Sequence, residues 1–550
     1  MNWNLADIYE TVAATVPDAP CQVQGERVVR WGEFDRRANA LATDLIAAGV
    51  GGPAADERGK LAAYLYNCPE YLECYVAAFK AALVPVNTNF RYGPEELLYL
   101  WDNADAEAVV FHAGFADVVD GLRARLPKVK RWYCVADGAP MPAWAIDYEA
   151  LVAKGADRPI LANATGSWAR DGSDMLFLYT GGTTGMPKGV MWRQADLFNV
   201  LGGAQNIARG LPPVTSLDEL RERIAGTPQA ERPVYLPACP LMHGTGQFGA
   251  FIQMFQGGTV VCLPSRRFSA EELWQTVDAR RITGISIVGD AFARPMLDVL
   301  EANPGRFDLA CVRGISSSGV MWSNEIKKGL LRHLPQATLA DSFGSSEAVG
   351  MGASASTADN AEQTARFMPG PLVKLLIEEE DWREAGVGER GIVCQAGFLP
   401  AGYYKDQEKT GKTFRTIRGT RYSIPGDFAQ RNEDGSITLL GRGSVCINTG
   451  GEKVFPEEVE EVLKRHADIA DAVCVGVPDE RFGQAICALL EPRAAGTVVL
   501  AADASSHVRT HLAAYKAPRF TIMVESIGRA ANGKVDYKAL TQLARERLGR

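Results

Sequence analysis

Between residues 60 and 345, short apolar runs alternate with stretches of helical spacing, and no other feature restricts the fold as strongly. Leu61–Tyr66, Ala108–Phe111, Arg131–Val135, Thr259–Leu263, Ile282–Val288 and Cys311–Ile315 read as strands, and Pro94–Asp102 and Ala270–Arg280 as helices. Strands that return through helices lie parallel, so the alternation predicts mostly parallel sheets covered by helices. At 550 residues the chain exceeds what one hydrophobic core holds. The acidic stretch Asp359–Arg390 reads as an irregular surface connection into a smaller β region. Composition shifts again near residue 441. Pro456–Leu463 starts on Pro with acids in its first turn, which predicts a helix. Strands at Ala470–Val477 and Ala485–Leu490, a helix around Ser505–Ala514, a strand at Phe520–Val524 and a Gly-containing tail loop follow. The expectation is an α/β protein with two parts. A large N-terminal domain of mostly parallel sheets plus a small β region covers 1–441, and a small mobile α+β domain covers 442–550.

Apolar content of 47% and charged content of 23% are those of an ordinary globular protein. A net charge of −8 with no Lys/Arg block excludes nucleic acid as the expected partner. The N-terminus lacks the basic start and apolar stretch of a signal peptide. Charges cut every apolar run short; Lys80 splits Tyr75–Phe79 from Ala81–Val86, so no transmembrane segment is expected. The eleven cysteines contain no Cys-x-x-Cys pair, and Cys262 and Cys474 sit inside apolar runs, the pattern of reduced thiols in a cytoplasmic protein. The six histidines form no ligand cluster that predicts zinc; His507 and His511 are four apart, with no acidic third ligand nearby.

Residues 179–190 carry the densest chemistry: Tyr-Thr-Gly-Gly-Thr-Thr-Gly-Met-Pro-Lys-Gly-Val, directly after the apolar run Met175–Leu178. Glycines let backbone N–H groups turn inward, hydroxyls add donors and Lys188 adds a point charge, which together make a phosphate cradle. It departs from the P-loop pattern, because Met186 and Pro187 separate Gly185 from Lys188. Downstream, Asp341-Ser342-Phe343-Gly344-Ser345-Ser346-Glu347 follows a strand-like segment. Glu347 is a hard oxygen ligand suited to Mg²⁺ on phosphates. Asp341 can accept from an exocyclic amine; Phe343 either offers a flat face to a base or packs as an ordinary core ring. Gly402-Tyr403-Tyr404 with Thr410 precedes Gly426-Asp427, where Asp427 is either a turn former or an acceptor for two ribose hydroxyls. Gly441-Arg442-Gly443-Ser444 is either a linker turn or a hinge with a phosphate- or ribose-binding arginine. Asn532-Gly533-Lys534 presents one lysine on a tail loop, either simply solvated or functional.

Taken in order, these segments resemble the adenylate-forming acyl-CoA synthetases over nearly the whole chain. The match comprises 179–189, the aromatic-Gly-x-Thr-Glu motif at 343–347 with Ser346 in place of threonine, Gly-Asp at 426–427, Gly-Arg at 441–442 and Gly-Lys at 533–534. The resemblance implies the adenylate-forming fold, ATP and coenzyme A as co-substrates and Mg²⁺ as cofactor. A carboxylic acid would attack the α-phosphate, and CoA would then displace AMP. It assigns catalytic roles to Lys534, Glu347, Thr184 and His243. The β- and γ-phosphates fall to Thr180, Gly181, Gly182, Thr183, Thr184 and Lys188. The adenine site falls to Ser318, Gly319, Asp341, Ser342 and Phe343, with Ser346 nearby, and the ribose to Asp427 and Arg442. Thr449, Gly450 and Gly451 would line the CoA tunnel. The pivot of the small domain, usually Asp or Lys, is Ser444 here, followed by Val445 where an acid is common.

Pro240–Gln247 matches the family's acyl-site segment, with His243 either a gate or an ordinary loop histidine. Gly244, Thr245, Gly289, Gly344 and Ser345 are small wall residues that leave volume for a bulky acid, and no cation stands among them. The strings 189–193, 289–295, 341–347 and 441–448 are similar to the bacterial branch acting on fatty acids and steroid side chains, although a shared fold does not fix a substrate. Two rivals are an acyl-AMP ligase feeding a carrier protein and a nucleotide-binding regulator without turnover. Gly450-Gly451, the lack of a carrier domain after Arg550 and the intact Lys188, Glu347, Asp427 and Lys534 favour the CoA ligase. The sequence leaves room for a homodimer.

Overall fold

The computed structural model describes residues 2–51, 58–156, 170–182, 185–206, 209–319, 322–360, 366–442, 445, 447–449, 452–479, 483–494, 496–512, 514–530, 533 and 535–550. Two sheets with parallel centres dominate the first 345 residues. In one, Met175–Gly182 lies beside Val84–Asn87, followed by Lys60–Tyr64, Ala106–His112 and Arg131–Val135, all parallel. Lys60–Tyr64 and Val84–Asn87 are buried at every position, as expected of strands with both faces covered. The second sheet runs Thr259–Cys262, Val234–Pro237, Gly284–Ile287, Gly314–Ser318 and Thr338–Ser345, again parallel. Helices cover the faces. Pro69–Lys80 and Pro94–Asn103 start on proline, whose fixed φ suits a first helical position. Ala270–Arg280 starts where Ser269 Oγ accepts from the amide of Glu272 at 3.2 Å.

The region 359–390 departs from expectation. It is not an irregular connection: Arg366–Pro369, Val373–Ile377 and Arg383–Glu384 are strands that continue the second sheet antiparallel. These strands are short and keep exposed or half-exposed charged positions such as Arg366, Lys374 and Arg383, which disguises them as loop. The strand expected at Cys311–Ile315 is Gly314–Ser318, because Cys311 and Val312 pack from the preceding turn. The helix expected around Ser505–Ala514 is Ala501–Arg509. Ile469–Asp479 and Gly483–Pro492 pair antiparallel, Phe520–Met523 adds parallel to the second, and Pro456–Leu463 and Tyr537–Leu548 pack on this sheet. No helix among the described residues is long and apolar enough to cross a membrane.

Lys80, the charge that interrupts the apolar run, is itself buried, with 0% of its side chain exposed. Its ammonium donates to Glu10 (2.9 Å) and Asp35 (2.7 Å), fixing the second half of Pro69–Lys80 against the first two helices. Burial pushes the Glu10 carboxyl up, but the hydrogen bond from Arg170 and the charge of Lys80 overcome it and hold it at about 2. Its contribution to stability is therefore complete above the ordinary glutamate range and is lost as pH falls towards about 2. Lys80→Met leaves Asp35 without its ammonium and Glu10 with Arg170 alone, and is expected to remove about 3 kcal/mol, read as a lowered urea midpoint at pH 7. The deficit of the variant relative to the parent should shrink as the pH is taken below about 4.

Candidate active site

The phosphate-cradle segment is a β-hairpin. Met175–Gly182 runs on through the glycines, and Gly185–Arg193 returns antiparallel with Thr180 opposite Lys188. Thr183 and Thr184 lie outside the described residues, and Gly181 and Gly182 are described as backbone. Gly189 is required by close approach: a Cβ there would stand 2.7 Å from the ring of Tyr179, whose hydroxyl donates to Asn103 Oδ1 at 2.7 Å. Lys188 forms an ion pair with Asp406, whose other oxygen caps the helix Gln407–Thr413 at the amide of Lys409 (2.9 Å). The hydrogen bond from Lys188 holds the Asp406 carboxyl below the ordinary aspartate range.

Glu347 stands across from this hairpin. Gly402–Tyr403 adds to the edge of the returning strand, with Tyr403 opposite Val190, and Tyr403 Oη donates to Glu347 Oε1 at 2.6 Å. The turn carrying Ser346 and Glu347 is pinned at two carbonyls. Trp192 Nε1 donates to that of Ser346 (3.0 Å) and Ser423 Oγ to that of Glu347 (2.7 Å). Thr410 Oγ1 accepts from the amide of Tyr403 at 2.9 Å. The segments at 180–188, 346–347, 402–410 and 423 are thus one connected network. Its oxygen-rich donor set suits a hard divalent cation at Glu347, because Tyr403 leaves that carboxylate a second oxygen.

The next strand ends carry the remaining nucleotide candidates. Ser318 lies opposite Ser342 and Ser317 opposite Asp341 on neighbouring parallel strands. Gly319, at φ +91°, takes the left-handed backbone that ends its strand. Asp341 is buried and ion-paired with Lys327 of the helix Asn324–His333. Burial drives its carboxyl above the ordinary aspartate range, against the opposing charge of Lys327. Phe343 is mostly core: it is buried and packs on Phe367 with ring centroids 5.6 Å apart. Asp427 begins a strand directly after Gly426 and lies opposite Arg442.

The acyl-site segment is held from below. His243, half-buried, precedes the helix Gly244–Met254, on which Thr245 occupies the first turn. Asn87 donates through Nδ2 to the carbonyls of Tyr179 (2.9 Å) and Met242 (2.8 Å) and accepts the amide of Tyr179 at Oδ1 (2.6 Å). Asn67 binds the carbonyls of Pro237 and Cys239 and the amide of Leu241 in the same manner. Gly289, at φ +57°, donates its amide to Ser317 Oγ at 2.9 Å. Gly344 lies within Thr338–Ser345, where a Cβ would meet the carbonyl of Ala348 at 2.9 Å, and Ser345 ends that strand.

Of the remaining expected residues, Ser444, Gly450, Gly451 and Lys534 lie outside the described residues, and Thr449 ends the strand Ile447–Thr449. The tail loop is anchored just ahead of Lys534. Arg529 binds both oxygens of Asp471 (2.5 and 2.9 Å) and donates to the carbonyl of Gly533 (3.2 Å). Asn67, Asn87, Tyr403 and Asp406 in these roles, together with Lys327 and Arg529, escape motif reading. For Asn67, Asn87 and Lys327 the one signal is an amide or charge next to apolar residues, and most of the partners are remote in sequence.

The family described as AMP-binding enzyme matches residues 9–404, and the AMP-binding enzyme C-terminal domain matches residues 458–534. A medium/long-chain-fatty-acid–CoA/3-oxocholest-4-en-26-oate–CoA ligase of Mycolicibacterium smegmatis is 37% identical over 560 residues, covering 100% of this chain and 97% of the relative. A 3-oxocholest-4-en-26-oate–CoA ligase of Rhodococcus rhodochrous is 39% identical over 553 residues, covering 98% and 95%. The crystal structure of the anthranilate CoA ligase AuaEII in complex with anthranoyl-AMP superposes with a TM-score of 0.82 over 100% of this chain and 99% of that one. At 17% identity that likeness speaks for the fold alone.

Asn87 is the test of the convergence. In Asn87→Asp a carboxylate faces two carbonyls it cannot donate to, so stability should fall by about 2–4 kcal/mol. A urea midpoint equal to that of the parent would show that Asn87 does not hold the two loops.

Proposed function

Because this chain belongs to the AMP-binding enzyme family and is an ATP-dependent acid–CoA ligase, we propose that it activates a medium- or long-chain fatty acid or a steroid side-chain acid. The observation that carries this is full-length identity of 37% and 39% to ligases named for those acids. The wall positions agree: Gly244, Thr245, Gly289, Gly344 and Ser345 are small, and none is a cation that would hold a second carboxylate. The large part spans 1–441 and the small part 442–550, with the junction at Gly441-Arg442.

The chemistry must bring a carboxylate to an anionic phosphate, so positioning and charge neutralisation carry the catalysis. The hairpin bearing Thr180, Gly181, Gly182, Thr183, Thr184 and Lys188 grips the β- and γ-phosphates that depart as pyrophosphate. Lys188 exchanges Asp406 for phosphate, which a half-exposed ion pair allows at small cost. Glu347, oriented by Tyr403, would hold Mg²⁺, which would supply positive charge to the polyphosphate. Ser318, Gly319, Asp341, Ser342 and Phe343 bound the adenine, with Ser346 at the turn beyond them, and Asp427 and Arg442 bound the ribose. His243 closes the acyl site until the adenylate forms.

Lys534 bridges the reacting carboxylate and the α-phosphate. The small part then turns about Ser444 and brings Thr449, Gly450 and Gly451 to the pantetheine path, and CoA thiol displaces AMP. No covalent enzyme intermediate is required.

A pyrophosphate-release screen over fatty acids, aryl acids and steroid side-chain acids, each with and without CoA, tests the substrate class. The longer fatty acids and steroid acids should lead, and thioester should form only with CoA. A lead by aryl acids would overturn the proposed acid, and transfer to a carrier protein in place of CoA would overturn the acceptor. Lys534→Ala should lose about 100- to 1000-fold in adenylation yet still convert supplied acyl-adenylate to thioester. Equal losses in both half-reactions would remove Lys534 from its assigned place.

A further inference from the structure

Lys327 belongs to no motif, yet its side chain is 1% exposed and its ammonium is spent on one partner, Asp341. Its helix, Asn324–His333, buries Ile326, Leu330 and Leu331, so an apolar residue at 327 would serve packing as well without the expense of desolvating an ammonium. The pair bridges this helix to the strand Thr338–Ser345, where Asp341 stands beside Ser317 and one residue before Ser342. The Lys327 ammonium also lies 5.8 Å from the ring of Trp322, which closes the apolar side. Among the described residues, Lys327 on its own helix and Glu461 on the helix Pro456–Leu463 act on the charge of Asp341, and Glu461 is itself paired with Lys464 at 3.2 Å.

We propose that Lys327 is a positioning residue that sets the base preference of the nucleotide site by keeping Asp341 an ionised, acceptor-only carboxylate. This rests on the reading that places Asp341 at the exocyclic amine of adenine. An ionised carboxylate accepts and cannot donate. It therefore favours a base that presents an amine and repels one that presents a carbonyl at the same position, as guanine does. Lys327 occupies Oδ2, which leaves Oδ1 for the amine. Without Lys327, burial and the negative charge of Glu461 both push Asp341 towards its protonated form. A neutral carboxyl presents a donor and an acceptor, and it no longer separates the two bases.

The test is equilibrium binding of ATP and of GTP to the full chain by calorimetry between pH 6 and 9, with no acid present. The parent should keep one ATP-to-GTP affinity ratio across the range. Lys327→Met should lose about tenfold of that ratio at pH 6–7, the scale of one charged hydrogen bond, and recover it as pH rises. Lys327→Arg should restore the parent ratio. Asp341→Asn should give a ratio independent of pH, and adding Lys327→Met to it should change nothing further.

A Lys327→Met protein with the parent ratio at every pH, or one in which both nucleotides weaken equally, would make Lys327 a purely structural tie and overturn the proposal. If Lys327→Met does not fold, the double variant, which buries no charge at the pair, decides. A ratio that differs from that of Asp341→Asn alone would show that Lys327 acts other than through the carboxylate. Asp341→Ala binding ATP and GTP as the parent does would instead remove Asp341 from the base, and with it the reading on which the proposal rests.

Discussion

Everything at the candidate site depends on how backbone polar groups are satisfied where parallel strands end. A parallel strand leaves its sheet at its carboxyl end with N–H and C=O groups that no neighbouring strand can pair, and burying them unpaired is costly. Here two asparagines do that work. Asn87 ties its own strand end to Tyr179 and Met242, and Asn67 ties its strand end to Pro237, Cys239 and Leu241. An amide is the one uncharged side chain able to donate to two carbonyls and accept from an N–H at the same place. These clamps bring together the hairpin of one sheet and the loop of the other, so the candidate phosphate and acyl segments are held side by side by the fold itself.

Buried charge is used differently in the frame and at the site. Arg37 is held between Glu73 (2.7 Å) and Glu149 (2.8 Å), and Lys80 between Glu10 and Asp35, all within the helical layer of the first sheet. Each is built on a buried cation, although Glu149 itself is half exposed, and removing the cation leaves buried Glu73 or Glu10 short of a partner. At the strand ends the pairs are half-open. Lys188 and Asp406 are 36% and 24% exposed, and Tyr403 donates to Oε1 of Glu347. Open pairs can change partners at small cost, which is what phosphate and metal binding demand. Lys327 is the exception at the candidate site: a closed pair whose carboxylate lies on the strand Thr338–Ser345, beside Ser317.

The two-part organisation and the parallel sheets were legible because each is written in local order. A strand of apolar residues running into glycines and threonines, or a helix starting on Pro456 with Glu457 and Glu458, announces itself within a dozen residues. The clamps were not legible, because their partners are remote: 92 residues separate Asn87 from Tyr179, 56 separate Glu347 from Tyr403, and 218 separate Lys188 from Asp406. The strands between 366 and 384 were misread for a different reason. Short strands that expose a charge such as Arg366 or Lys374 span only four or five residues, too few for an alternating pattern to stand out from a polar loop. Phe343 was open in the sequence, and the structure puts most of its ring in the core against Phe367.

The junction between the two parts obeys a constraint of its own. Gly441 adopts φ +114°, and a Cβ there would stand 2.1 Å from a carboxylate oxygen of Glu457. The backbone conformation is what favours glycine; the Glu457 carboxylate, at the end of a flexible side chain, could move aside. The helix Pro456–Leu463 brings the ion pair of Glu461 and Lys464 (3.2 Å) towards the strand ends, with Glu461 the member that acts on Asp341 in this arrangement. A domain that turns about the residues after Gly441 would withdraw that pair along with the tail loop that Arg529 anchors. The two half-reactions would then meet different electrostatics at one fixed set of strand ends, with nothing in the large part having to move.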